Sequence, residues 1–168
     1  MNKSNDFTNM DDKEVIEKIK NAYLKLLKND SHLLKVDANE RSITHRFAIY
    51  LEDEFPDYNV DCEYNRNGSI PKKIKVISVN SDDINGVSAY PDIIIHHRGT
   101  KDNFIVIEAK KTTTNNNNND EEKLKAYKKN DLKYRHAFFV EFPVKNNFSN
   151  FNGNLDNYIQ EINTRQKN

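Results

Sequence analysis

The apolar residues of this chain fall into short blocks whose spacing predicts helices and strands. In the first third of the chain two segments repeat apolar residues at helical spacing, one beginning near Asp11 and one running from Asp37 or Asn39 to Phe55. The residues at both starts are good helix caps, and Pro56 cannot continue the second helix. We therefore predict two N-terminal helices, the first without evident chemistry of its own.

The rest of the chain alternates between strand and helix patterns. Continuous apolar runs at residues 93–95 and 104–107 predict two strands buried on both faces. Other strands are predicted at residues 58–64, with Val60, Cys62 and Tyr64 inward, within 69–80, and at 136–142; residues 81–89 are predicted as a loop. A helix is predicted after Asp120, which would cap it, and a terminal helix from Asn154 onward.

The two apolar runs are joined by a polar loop, which predicts an antiparallel hairpin centred near Thr100. In that register Asp92 lies opposite Glu108, with Cβ atoms roughly 4.5–5.5 Å apart. Side chains alternate along a strand, so Glu108 and Lys110 share one face and Ala109 points to the other. Two carboxylates and an ammonium would converge there. Because such acids repel each other and resist ionisation, a divalent cation is the usual remedy.

The same residues form a motif: Pro91-Asp92, fifteen intervening residues, then Glu108-Ala109-Lys110. This arrangement resembles the signature of the PD-(D/E)XK nuclease superfamily, which has a restriction-endonuclease-like fold. The resemblance implies an α/β protein with a mixed four- to five-stranded central sheet flanked by helices, here with an extra N-terminal helix. We expect residues 1–36 to form a helical extension and residues 37–168 to form the nuclease-like domain.

The resemblance also implies a cofactor and a set of roles. Mg²⁺, with Mn²⁺ as a substitute, would be held by Asp92, Glu108, the Ala109 carbonyl and Glu40, and Lys110 would assist hydrolysis. Glu40 lies on the inward stripe of its predicted helix, although an acid in a first turn also suits the helix dipole. Glu63, on the first predicted strand, is the alternative extra acid.

Other candidate residues lie around this centre. His45, one turn after Glu40, could contact a phosphate or orient Glu40, although a surface position explains it better. In exonuclease-like branches of the superfamily a Gln and a Tyr lie four residues apart on the helix after the hairpin. Here Lys123 replaces that Gln and Tyr127 matches the Tyr, which weakens assignment to that branch. Candidate contacts to the phosphate backbone are the basic residues Lys72, Lys73 and Lys111.

Composition sets limits on these expectations. The chain has 168 residues and no net charge, with 26 basic and 26 acidic residues, so binding to nucleic acid would depend on local clusters of charge. A single cysteine, Cys62, excludes an intrachain disulfide and suits a reducing cytosol; we expect it to be a small core residue. There is no apolar segment long enough to cross a membrane and no hydrophobic signal region, so we expect a cytoplasmic protein.

We therefore expect a metal-dependent nuclease that acts on DNA, with RNA not excluded, in defence, repair or mobile-element processing. A homodimer or a partner subunit could supply specificity. The alternative is a catalytically silent nucleic-acid-binding or scaffold subunit with the same fold. A zinc site at His96 and His97 is not expected, because adjacent residues on a strand point to opposite faces.

Overall fold

The computed structural model describes most of the chain, including the hairpin that carries the predicted centre. The description covers residues 10–67, 70–71, 73–74, 87–88, 90–114, 119–129 and 131–163. The strands are β1 (Asn59–Cys62), β2 (Arg66–Asn67), β3 (Ile70–Pro71), β4 (Lys73–Ile74), β5 (Val87–Ser88), β6 (Ile93–His96), β7 (Asn103–Lys111), β8 (His136–Phe142) and β9 (Ile159–Glu161). The helices are α1 (Asp12–Asn29), α2 (Ser31–Lys35), α3 (Glu40–Glu54), α4 (Asn119–Lys129), α5 (Asn146–Ser149) and a 3₁₀ turn at Leu155–Asn157.

A five-stranded mixed sheet forms the centre of the molecule, in the order β1-β6-β7-β8-β9. Strands β7 and β8 are parallel, and the other three neighbouring pairs are antiparallel. Because β7 and β8 are parallel, the chain must cross over between them, and α4 lies in this connection. The prediction of an α/β protein with a mixed sheet flanked by helices is therefore confirmed.

The β6–β7 hairpin has the predicted register. Ile93 pairs with Ile107 and Ile94 with Val106, so the numbers of paired residues sum to 200 as expected. The register shifts by a bulge at the loop end, after Ile95. In the loop Gly99 has a φ of +76°, a conformation that glycine adopts without steric cost.

Helices cover the two faces of the sheet unequally. Strand residues such as Ile93, Ile95 and Ile107 pack in one cluster with α1 and α3, and Ile94 and Val106 pack in a second cluster with α4. Both predicted N-terminal helices are confirmed: Asp11 caps α1 and Asn39 caps α3 through their side chains. The α4 side is the one that matters for the predicted centre.

Outside the segment between β1 and β6, three predictions about local structure were wrong. The C-terminal segment is a 3₁₀ turn followed by β9, because Ile159 completes the sheet by pairing with Val140 of β8. Cys62 is exposed at the end of the edge strand β1 rather than buried in the core. Asp120 is not a cap, since α4 already begins at Asn119; this helix is confirmed with Leu124 and Tyr127 buried.

The region between β1 and β6 is described only in part. Within the predicted strand at residues 69–80, the described residues form the two-residue strands β3 and β4, each in a separate two-stranded sheet. Strand β5, which pairs with β4, falls in the segment predicted as a loop. Lys72, one of the three candidate phosphate contacts, lies outside the described residues. No helix in the described part of the chain is long and apolar enough to cross a membrane.

Candidate functional site

Strand alternation places the three main site residues on the face covered by α4. Glu108 and Lys110 follow Val106 at intervals of two residues on β7, and Val106 packs against Leu124 and Tyr127 of α4. Ala109 packs in the opposite cluster with α1 and α3, as alternation requires. The predicted division between these side chains is therefore present in the folded protein.

Asp92 lies just before β6, beside the middle of β7. Its Oδ2 accepts a hydrogen bond of 2.7 Å from the backbone N–H of Ala109, so the carboxylate is fixed against the neighbouring strand. Partial burial raises the pKa of Asp92, and the negative charge of Glu40 adds to the increase, although the Ala109 hydrogen bond opposes it. The first site acid is therefore held in place but is costly to ionise.

Glu108 is the most deeply buried acid of the site, with 3% of its surface exposed. Its Oε1 atom is buried and has no hydrogen-bond partner among the described residues. Burial, reinforced by the negative charge of Asp92, raises the pKa of Glu108 to about 8. With that raised pKa, the buried carboxyl group of Glu108 is largely protonated at neutral pH, beside the Asp92 carboxyl group.

Lys110 contacts an acid that sequence reasoning did not assign to the site. Its Nζ lies 3.4 Å from Oδ2 of Asp120, a buried residue in the first turn of α4, and the other oxygen of Asp120 lies 3.3 Å from Nζ of Lys123. Burial alone would lower the pKa of Lys123, but the nearby Glu108 and Asp120 raise it overall. A signal for Asp120 existed in its helical spacing from Leu124 and Tyr127, the inward residues of α4.

Tyr127 borders the site from α4. It is almost fully buried, and burial together with the negative charge of Glu108 raises the pKa of its hydroxyl. The ring packs in the α4 cluster with Val106 and Leu124, and its hydroxyl lies close enough to Glu108 for the two groups to influence each other electrostatically. Tyr127 was named as an additional candidate on the basis of the sequence, and the structure brings it to Glu108.

The two alternative extra acids have different surroundings. Oε2 of Glu40 accepts hydrogen bonds from the backbone N–H of Lys111 at 3.0 Å and from the Thr114 hydroxyl at 3.2 Å. Glu40 therefore reaches the end of β7 and is close enough to Asp92 to influence its ionisation. Glu63 instead pairs with the exposed Arg41 at 3.0 Å, and its own side chain is 53% exposed.

The remaining candidates lie at the edge of this region or away from it. His45 is exposed on α3. The ammonium of Lys111 lies 2.8 Å from Oδ1 of Asp37, and Lys145 pairs with the other oxygen at 2.9 Å; these two partners lower the pKa of Asp37 to about 2. Lys111 therefore links the end of β7 to the residues before α3. This ion pair gives no support to the prediction that Lys111 contacts phosphate. Lys73 lies in β4.

The two histidines of the hairpin contact different carboxylates. His96 Nε2 lies 2.8 Å from Asp61, while His97 Nδ1 lies 2.6 Å from Asp102. Each ring therefore lies against a different carboxylate.

The donor atoms of the site can be compared with the needs of the implied metal. Within the described residues no three His, Cys, Asp or Glu side chains are grouped so that they could hold a metal ion, and Glu40 is therefore not assembled with Asp92 and Glu108 into one set. Mg²⁺, however, is commonly held by one or two carboxylates together with waters and substrate phosphates. Asp92 and Glu108, with its unpartnered buried oxygen, fit that mode of binding.

Comparison of the chain with protein-family models, with curated proteins and with solved structures gave no match.

Proposed function

We propose that this protein is a divalent-metal-dependent nuclease with a restriction-endonuclease-like core, which hydrolyses phosphodiester bonds in DNA. The observation that carries the proposal is the meeting of two acids, Asp92 and Glu108, beneath α4, with the Lys110 ammonium on the same face of β7. The proposal has two supports. One is the sequence motif, which depends only on the order of the residues, and the other is the proximity of these side chains in the fold.

The acid pair is difficult to explain by folding alone. A buried carboxyl group with an unpartnered oxygen destabilises the folded state, by about 1–3 kcal/mol for an ordinary unsatisfied polar group. Apolar residues of similar volume at these positions would pack at least as well. Strongly perturbed acids that lie together are a common mark of functional sites, and this supports a chemical role for the pair.

In the proposed reaction each residue has a role that its position permits. A bound Mg²⁺ would offset the negative charge of the phosphodiester and lower the pKa of a water molecule. Asp92, Glu108 and the Ala109 carbonyl would hold the ion, and Glu108 would release its proton when the ion binds. The Lys110 ammonium would orient the attacking water or stabilise the negative charge that develops on the phosphate oxygens.

The test is cleavage of supercoiled, linear and single-stranded DNA, and of RNA, with Mg²⁺, Mn²⁺ or EDTA. We expect DNA cleavage that requires the metal and falls at least about 100-fold in Asp92→Asn, Glu108→Gln and Lys110→Ala. Asp102→Asn is the matched control: it removes a carboxylate from the opposite end of the same hairpin, where it binds His97 and Arg135, and should retain activity. Equal activity in wild type and all three site variants would contradict the proposal.

A second candidate function, a non-cleaving nucleic-acid-binding or scaffold subunit, is favoured by the pairing of Lys110 with Asp120 and by the raised pKa of the buried Glu108 carboxyl group. Salt-sensitive DNA binding without cleavage, and without binding of Mg²⁺ in calorimetry, would support it. Metal-dependent cleavage would exclude this second function.

Light scattering with and without DNA would show whether the protein acts as a homodimer. The single cysteine fits our proposal of action in the cytoplasm.

A further inference from the structure

Asp120 is an unusual residue within its own helix turn. The first turn of α4 carries three acids, all suited to the positive end of the helix dipole. Glu121 and Glu122 are exposed and pair with Lys125 on the outer surface. Asp120 turns inward instead and is 5% exposed. Because its neighbours already complement the dipole, its burial requires another explanation.

The two oxygens of Asp120 contact two different ammonium groups. Oδ2 lies 3.4 Å from Lys110 and Oδ1 lies 3.3 Å from Lys123, so the carboxylate stands between one lysine from the sheet and one from the helix. Lys123 offsets the charge of Asp120. The negative charge of Asp120 is therefore shared between two lysines, and Lys110 is only one of its two partners.

A lysine in a reaction site needs such a restraint. Its ammonium is carried on a flexible four-carbon stem, and placing it costs rotamer entropy. On β7, Lys110 lies where the strand emerges from the core and its side chain is 24% exposed, so packing alone does not immobilise it. The contact with Asp120 restrains the position of the Lys110 ammonium on the face of β7 that carries Glu108.

We propose that Asp120, with its charge offset by Lys123, is a positioning residue that holds the Lys110 ammonium at the reaction site. This inference rests on the proposed nuclease function and deepens it. Asp120 touches neither substrate nor metal in this scheme, and it acts only through Lys110. The sequence motif contains no counterpart to Asp120, since α4 lies beyond both of its halves.

The proposal predicts a specific pattern of kinetics. Asp120→Asn keeps the shape of the side chain and removes its charge; it should lower kcat by about 10–100-fold, the usual cost of losing a residue that orients a site group, with KM nearly unchanged. Asp120→Glu restores the carboxylate and should recover part of that loss. Glu121→Gln, which alters an exposed acid in the same turn, should behave like the wild type.

A double-mutant cycle separates positioning from a merely structural role. If Asp120 acts through Lys110, then Asp120→Asn should cause no further loss of kcat in a Lys110→Ala background. The same fold-loss in both backgrounds would overturn the proposal, and so would an Asp120→Asn variant with wild-type kcat. Thermal unfolding confirms that each variant is folded. If Asp120→Asn does not fold, Asp120→Ser in the same cycle gives the same two outcomes.

The outcome also distinguishes this inference from the function on which it rests. A wild type that cleaves no nucleic acid overturns both. A wild type that cleaves, and loses activity in Lys110→Ala but not in Asp120→Asn, overturns only the role of Asp120. As an independent readout, the ¹⁵N signal of the Lys110 ammonium in the metal-free protein should shift in Asp120→Asn and stay in place in Glu121→Gln; an unchanged signal in Asp120→Asn contradicts the contact.

Discussion

Glu108 carries its carboxyl group into a region closed to solvent, directly after the apolar run of β7. The preceding residues of β7 are buried and apolar from Phe104 to Ile107, so the polypeptide reaches Glu108 through the core. At that point it meets Asp92, and the pKa of each acid departs from its ordinary value. For these single residues, burial defines the site as much as chemical type does.

This burial makes stability depend on pH. In the unfolded chain Glu108 loses its proton near its ordinary pKa of 4.5, whereas in the folded protein it keeps it to about 8. Between these values the folded state binds more protons, so wild-type stability should fall as the pH rises. Glu108→Gln cannot ionise, so the free energy of unfolding of this variant relative to wild type should rise by ~5 kcal/mol across this window.

The measurement is urea unfolding in EDTA at several pH values, with Glu63→Gln as the control for an exposed carboxylate. We expect the difference between Glu108→Gln and wild type to be constant below about pH 4.5 and above about pH 8. If the difference in the free energy of unfolding between the variant and wild type does not change with pH, Glu108 is accessible to water in the folded protein.

The two remaining acids should also separate by function. Glu40→Gln weakens the acceptor for the Lys111 N–H at the end of β7, so under the proposed function it should reduce metal affinity or kcat by about 10–100-fold. Glu63→Gln breaks only an exposed pair with Arg41 and should change activity less than about twofold. The measurements are Mg²⁺ affinity by calorimetry and kcat in a cleavage assay. If both variants lose metal affinity or kcat to the same extent, Glu63 also contributes to the site.

Among the secondary-structure elements, two helices decide what the hairpin can do. Helix α3 places Glu40 at the end of β7. Helix α4 covers the opposite face of the sheet with Leu124 and Tyr127. Strand β9 instead extends the sheet beyond β8, and its Glu161 pairs with His136 at 2.9 Å. Helical spacing of apolar residues near Leu155 misled the prediction there, because a segment of three or four residues satisfies both periods.

The strand assignment of β9 can be tested by propensity at an exposed position. Gln160 faces solvent and pairs with Phe139. On a strand Thr should be more stabilising than Ala, by up to ~1 kcal/mol, whereas in a helix Ala should be more stabilising by ~0.5 kcal/mol. Urea unfolding of Gln160→Thr and Gln160→Ala gives the sign, and a more stable Ala variant would favour a terminal helix.

Across the whole molecule, α1 packs with the sheet in one continuous core. Its buried residues belong to the same cluster as Phe47 of α3 and Ile105 of β7, and the Tyr23 hydroxyl donates a hydrogen bond to the carbonyl of Glu141. This packing bears on the predicted boundary at residue 36, which treated α1 as an extension of a domain that begins at residue 37.

We expect a chain of residues 37–168 to lose cooperative folding. The four large buried side chains of α1, at ~2 kcal/mol each, contribute ~8 kcal/mol, which is comparable to the whole stability of a typical domain. The residues in question are Val15, Ile19, Tyr23 and Leu26. Circular dichroism during thermal unfolding of the shortened and full chains is the measurement. A shortened chain with a sharp transition would restore the boundary at residue 36.

Local sequence information was enough to predict the α/β class, the two N-terminal helices, the hairpin and its register. These features follow from apolar periodicity, from capping residues and from a turn that sets which residues face each other. Asp92 and Glu108 could be named in advance as partners within the hairpin for the same reason, since a register that sums to 200 places them side by side.

Long-range packing decides which distant residues join that pair. Asp120 approaches Lys110 because α4 packs on the sheet, and Glu40 reaches Lys111 because α3 packs on the other side. Cys62 is exposed because β1 lies at the sheet edge, and the terminal segment is a strand because β8 offered an unpaired edge. Each of these depends on neighbours far along the chain, which local periodicity does not encode.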